Sequence, residues 1–266
     1  MRCSFHEKRE GWRIEDRYGK MKILTIHDIR KEYFDLDLDA YQLTFDDGLY
    51  SQFYYFSLFK DHPRKLTYLI TTSFIKPGKI RKTFAGRDLP YIKSKKYMYR
   101  TFAENRFDHF MKLEELQEIS RQKNVQIGAH SHFHDVILTR TRPHKRKALS
   151  PWKLERIRGI KKVPLEEFSI RSKLAFKGYE LDGGKVIPRS ETAWEDFIKL
   201  DTELCLRWFE QNLNMQPKIY AFPFNEYSSK FVTILKSFGF KQFFAARPKN
   251  EKEISGRIDI DSLIDT

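Results

Sequence analysis

Cysteine is almost missing from this chain. The two present, Cys3 and Cys205, stand far apart, which argues against a disulfide framework or a cysteine zinc site and for a reducing, cytoplasmic setting. Long hydrophobic runs are missing as well: no stretch approaches the roughly 18 apolar residues that a membrane span needs. The first 20 residues carry charge without an apolar centre, so residues 1–20 read as a polar extension and not as a secretory signal. Gly/Ser linkers, internal repeats and low-complexity tracts are absent too, which leaves residues 21–266 as one expected domain. With 40% hydrophobic and 15% aromatic residues, the chain can bury one large core or two small ones, and its composition is that of an ordinary folded enzyme.

Acidic residues are scarce in two places. Residues 76–100 hold nine Lys/Arg against one acid, and residues 139–162 hold ten against one. Together these segments carry more than the whole net charge of +14. The high isoelectric point would suit a nucleic-acid binder. However, the basic runs lack the aromatic interleaving of single-strand binders, no helix-turn-helix or finger pattern occurs, and no nucleic-acid partner is expected.

Apolar, β-prone runs at 22–29, 41–47, 66–75, 125–130, 218–224 and 241–246 alternate with helical spacing at 107–122, 191–213 and 229–239. Strand and helix in alternation predict a parallel α/β architecture. In a parallel barrel the chemistry collects at the C-terminal strand ends, and both basic segments are expected in loops on that face. Trp194, Trp208 and Phe209 fall on the apolar stripe of the 191–213 helix and read as core.

Three strand ends carry candidate chemistry. Thr44-Phe45-Asp46-Asp47-Gly48 ends in two adjacent carboxylates. Asp-Gly is a favoured turn dipeptide, yet two like charges side by side call for a counter-charge. His130-Ser-His-Phe-His134 has metal-ligand spacing: if the chain turns helical there, His130 and His134 share a face and His132 points elsewhere. Two neutral imidazoles and one carboxylate form a three-ligand site with positions left for water and substrate. The second carboxylate then lies beside the water such an ion would hold, placed to take its proton. Ala221-Phe-Pro-Phe-Asn225 is a rigid, proline-bearing loop whose amides can face the same point.

These motifs resemble those of the NodB-homology polysaccharide deacetylases, carbohydrate esterase family 4. TFDDG at 44–48 is similar to the first family motif, HSHFH at 130–134 to the His-Ser/Thr-x-x-His second, and AFPFN at 221–225 to one form of the third, over about residues 21–250. The resemblance implies a distorted (β/α)7 barrel, here with basic loop insertions. It also implies a hydrolase that uses a divalent metal ion, often zinc, to remove N-acetyl groups from sugars. By position, Asp46 would be the general base, Asp47, His130 and His134 the metal ligands, and the Phe224 amide a donor to the oxyanion.

Two departures stand out. The arginine that often orients the base in the third motif is replaced by the Ala221-Phe222 neighbourhood, so orientation must come from elsewhere. The late histidine that serves as general acid is missing, since none follows His144. His27, ending the first strand, is the candidate to donate that proton, with Asp135 and water as alternatives; a histidine satisfied by local hydrogen bonds is the competing reading. A catalytically silent glycan-binding relative would be expected to lose the base or a ligand, and neither is missing. The basic segments suggest an acetylated sugar linked to phosphate, as in a cell-surface polysaccharide precursor, or peripheral contact with the anionic inner face of a membrane. Arg81, Lys82, Lys145, Arg146 and Lys147 are the candidate contacts.

Overall fold

The computed structural model describes residues 22–140, 150–157, 167–246 and 253–264. The six expected strands form: β1 (Ile23–Ile26), β2 (Gln42–Asp47), β3 (Leu66–Ile70), β4 (Val125–Ala129), β9 (Ile219–Ala221) and β10 (Gln242–Ala245). All pair in parallel, in the order β10-β9-β4-β3-β2-β1. The sheet closes on itself through one late stretch. Its first half, β11 (Ile254–Gly256), pairs with β10, and its second half, β12 (Ile258–Asp259), pairs with β1, with Arg257 between them. Counting that stretch once gives seven staves, which is the expected distorted (β/α)7 barrel.

Alternation along the staves separates two environments. Leu24, Ile26, Leu43, Phe45 and Tyr68 belong to the main core beneath the helices, with Phe45 stacked on Tyr68 at 4.7 Å. Ile23, Leu69, Ile219, Ala221 and Phe244 form a separate small plug. Thr25, Thr44 and Asp46 alternate with the first set along the same strands and are buried. At Gly128 on β4 an added Cβ would lie 2.8 Å from Leu69 Cδ2 and 3.0 Å from the Ile219 carbonyl.

The helices are α1 (Tyr50–Tyr54), α2 (Phe56–Phe59), α3 (Ser94–Glu104), α4 (Leu113–Ser120), α5 (Pro151–Arg156), α6 (Glu191–Leu213) and α7 (Ser229–Ser237). The expected bounds of α6 are met: Ser190 Oγ accepts from Ala193 N–H at 3.0 Å, and Asn214 ends the helix in the left-handed region. Trp194 and Phe209 are buried on its stripe and Trp208 packs against the core, as expected. The helix expected over 107–122 begins only at Leu113. Before it, Met111 N–H donates to the Gly48 carbonyl and Tyr50 N–H to the His109 carbonyl, both at 2.8 Å, so tertiary pairing overrides the local period.

A second, antiparallel sheet was not anticipated. It comprises β5 (Val136–Thr139), β6 (Ser169–Ser172), β7 (Tyr179–Asp182) and β8 (Lys185–Pro188), in the order β6-β5-β7-β8. The segment 139–162 is therefore not a simple loop after β4: it leaves from β5 and includes α5. Val136, Leu138 and Ile170 join the same apolar core as the barrel's outer face. Residues 1–20 lie outside the described residues.

Gly128→Ala is expected to lower stability by about 1–3 kcal/mol, because the Ile219 carbonyl belongs to a neighbouring stave and cannot rotate away. A urea-unfolding midpoint compared with wild type checks this.

Candidate metal centre and active site

Successive residues of a strand point to opposite faces, so adjacent Asp46 and Asp47 should diverge. Asp47 escapes this by adopting φ of 70°, followed by Gly48 at φ of 79°. The bend lets both carboxylates line one cavity of about 360 Å³. Aspartate is among the side chains that tolerate this region. At Gly48 an added Cβ would also meet Ile75 Cδ1 at 3.0 Å.

The histidine segment is not helical. Ser131 and His134 both take positive φ, 84° and 51°, in a tight loop after β4 closed by the His134 N–H donating to Ser131 Oγ at 3.0 Å. Both imidazoles nevertheless reach Asp47: its Oδ1 lies 3.6 Å from His130 Nε2 and 3.7 Å from His134 Nε2. Neither is a hydrogen-bond distance. His132 points away, to Thr72 Oγ1 at 2.8 Å.

The loop is held from outside by Asp201, on the buried stripe of α6. Its carboxylate accepts the His132 N–H at 3.0 Å and the Phe133 N–H at 2.8 Å. Burial pushes Asp201 up to about 7, against the pull of these two amides.

His130 Nδ1 lies 3.0 Å from the Ala221 carbonyl. A carbonyl only accepts, so the proton is on Nδ1 and the lone pair of Nε2 faces Asp47. Burial lowers both imidazoles, His134 to about 4, so they are neutral near pH 7. The neutral Nε2 lone pair of His130, aimed at a carboxylate oxygen with no proton between them, is repulsive unless a cation joins them. Asp47, His130 and His134 offer three donor atoms within 4.8 Å of one another. The donor set, two imidazoles and one carboxylate, fits a zinc-type divalent ion. Asp47 Oδ2 is fixed separately by the buried Tyr97 hydroxyl, which donates at 3.0 Å.

Asp46 is engaged differently. Arg257 NH1 donates to its Oδ1 at 2.6 Å and NH2 to its Oδ2 at 2.8 Å, with both residues buried. Burial pushes the Asp46 carboxyl up, but Arg257 and then His130 outweigh it and bring it to about 2. Arg257 therefore stands where the third motif lacks its arginine, arriving from the closing stave. Gln52 Nε2 donates to the backbone carbonyls of both His27, at 3.0 Å, and Asp46, at 2.7 Å, tying two strand ends together. His27 lines the same cavity.

Phe224 and Asn225 both have positive φ, 60° and 56°, after Pro223, and both line the cavity. The Phe224 ring lies 4.5 Å from the His134 ring. Asp135, the other candidate acid, does not line the cavity; it pairs with Arg156 at 2.9 Å.

The basic segments reach the cavity through α3 and α5, which supply Lys95, Tyr97, Trp152 and Lys153. Arg81 corrects the expectation of a free rim cation: it pairs with Glu115 at 2.8 Å and donates to the Asp108 and Phe110 carbonyls. Lys82 is exposed and outside the cavity lining. Lys145, Arg146 and Lys147 lie outside the described residues.

No protein-family model matches the sequence, and no curated protein matches it. Solved structures do. A de-N-acetylase from Aggregatibacter actinomycetemcomitans superposes with a TM-score of 0.58 at 14% identity, covering 90% of this chain and 94% of that one. The deacetylase domain of BpsB from Bordetella bronchiseptica gives 0.55 at 14% identity, over 97% and 91%. IcaB from Ammonifex degensii gives 0.51 at 13% identity, over 90% and 91%. The chain has the polysaccharide deacetylase fold. At such identities the likeness speaks for the deacetylase barrel and leaves the chemistry to the residues of this cavity. Among the described residues no helix is long and apolar enough to cross a membrane.

Arg257→Met is expected to cost about 3–5 kcal/mol at neutral pH by leaving Asp46 charged, buried and unpaired. In wild type the Asp46 carboxyl is depressed, so its contribution is present above the unfolded value near 4 and is lost as pH falls through about 2. In the variant its pKa rises instead, so the deficit should shrink as pH falls toward 4. Urea unfolding at pH 7 and pH 4.5 measures both.

Proposed function

We propose that this chain is a metal-dependent N-deacetylase acting on an acetylated, phosphate-linked sugar of a cell-surface glycan precursor. The reading places it in the cytoplasm, with contact to anionic headgroups of the inner membrane as the alternative to a phosphate-linked sugar for the basic segments. One observation carries it: an ionised carboxylate clamped by Arg257 stands beside a three-donor cluster in one cavity. The resemblance of the motifs and the fold of known deacetylases agree with that chemistry.

Asp47, His130 and His134 would hold the ion. When bound, it would polarise the acetyl carbonyl and acidify water enough for a weak base to deprotonate it. Asp46 is that base. Arg257 fixes the plane of its carboxylate and keeps it ionised, while each oxygen retains a lone pair for the proton. The Phe224 amide, held in an unusual backbone conformation, is the oxyanion donor. His27, tied to the Asp46 backbone through Gln52, gives a proton to the departing amine nitrogen. Transfer to nitrogen is required because an amide anion is too basic to leave unaided.

Asp47→Ala and His134→Ala are expected to lose both bound metal and turnover, whereas Asp46→Asn keeps the metal and loses about 10²–10⁴ in rate. Metal analysis by mass spectrometry and acetate release from N-acetylated sugars decide this, and normal turnover in Asp46→Asn refutes the assignment.

His27→Gln should slow amide substrates far more than aryl acetates, whose leaving groups need no proton. Equal losses on both classes would mean that His27 only supports the fold.

A further inference from the structure

We propose that Lys153, assisted by Lys95 at the rim, forms an anion-binding subsite inside the reaction cavity. The acetylated sugar then carries a phosphate or carboxylate close to its acetamide. The substrate part of this inference rests on the deacetylase reading, while the subsite itself is a property of the protein.

Lys153 differs from other cations of the basic segments. Arg81 is answered by Glu115 at 2.8 Å and Arg156 by Asp135 at 2.9 Å. Lys153, on α5, is partly buried, lines the cavity, and forms no ion pair with a carboxylate among the described residues. Glu226, which acts on it electrostatically, is itself engaged by the Ser172 N–H at 2.7 Å and Arg171 Nε at 3.0 Å. The Lys153 hydrogen bond to the Ile170 carbonyl is long, 3.4 Å. Its ammonium instead lies over aromatic faces, 4.6 Å from the Phe224 ring centre and 5.7 Å from that of Trp152. Withdrawing a cation from water without an anion is unfavourable, and burial accordingly lowers its proton affinity. A ligand anion would remove that cost.

The charge of the cavity points the same way. Asp46 and Arg257 cancel, Asp47 offsets half of a divalent ion, and Lys153 adds a further positive charge. A neutral glycan would leave that excess unanswered, and an anionic one would offset it. The position is also suitable. The Phe224 ring is 4.5 Å from the His134 ring and 4.6 Å from Lys153 Nζ, so the anion would sit about one sugar unit from the reacting amide. Lys95, on α3, is exposed and lines the same cavity. The two helices are locked together by Phe102 stacked on Trp152 at 5.1 Å. An ammonium is a point charge that suits phosphate or carboxylate alike, so the acidic group is left for experiment to identify.

The test uses the full-length, metal-loaded protein at low salt. Acetate release is compared for N-acetylglucosamine, N-acetylglucosamine 1-phosphate and an N-acetylated aminouronic acid. Separately, binding of glucosamine 1-phosphate, which cannot turn over, is followed by calorimetry. Wild type should prefer an anionic substrate by about tenfold or more in kcat/KM, the size of one charge-assisted contact, and the better of the two acids identifies the group. Lys153→Met should reduce that preference and the glucosamine 1-phosphate affinity about tenfold, while Lys153→Arg retains most of both. Lys79→Met, which removes an exposed cation outside the cavity, should change neither. If Lys153→Met does not fold, Lys153→Gln takes its place. Equal kcat/KM for neutral and anionic sugars in wild type, or an unaltered affinity in the Lys153 variants, overturns the subsite. If no substrate releases acetate while the Lys153 variants lose glucosamine 1-phosphate, the subsite stands and the deacetylase reading fails.

Discussion

Inside the barrel a guanidinium and a carboxylate face each other, both largely withdrawn from bulk solvent. Arg257 and Asp46 are both buried and joined by two hydrogen bonds of 2.6 and 2.8 Å. Either alone would be a buried, unpaired charge, the costliest arrangement a core can contain. Paired, they fix the plane of the carboxylate and keep it ionised. The closing stave pairs with β10 through β11 and with β1 through β12, and the Arg257 side chain between them reaches Asp46 and donates to Thr44 Oγ1 as well. Barrel closure and clamping of the candidate base are thus one event.

Around that pair, each further candidate group is placed by a support with no chemistry of its own. Gln52 ties His27 to Asp46 through backbone carbonyls, Tyr97 pins one oxygen of Asp47, the Ala221 carbonyl sets the His130 tautomer, and Asp201 anchors the loop between the imidazoles. Left-handed backbone at Asp47, Ser131, His134, Phe224 and Asn225 does the rest. Strain of this kind persists where the surroundings over-determine it, and here it collects around one cavity.

The barrel strands were legible because buried parallel strands are apolar runs, and α6 because its apolar period and caps agree. The acidic and histidine motifs were legible because few other roles explain carboxylate pairs and closely spaced histidines at strand ends. The supports were not. Arg257 is one arginine in a basic chain, and nothing local marks it as the partner of a residue 211 positions away. Gln52 and Tyr97 look like ordinary helix residues. Asp201 did leave a signal, an acid on the buried stripe between Ile198 and Cys205. The antiparallel sheet escaped notice because its strands are four residues each, too short for periodicity to declare itself.

The 211-residue separation of Asp46 and Arg257 also bears on how the molecule is made. Synthesis proceeds from the N-terminus, and local elements form before distant ones meet. The two aspartates and both imidazoles emerge long before the arginine that neutralises the first carboxylate. Until the closing stave docks, Asp46 must remain hydrated and the barrel open at that seam. The three candidate metal ligands can therefore come together while Asp46 is still unclamped, so that under the proposed function gathering an ion and preparing the base would be separate steps in the making of the protein.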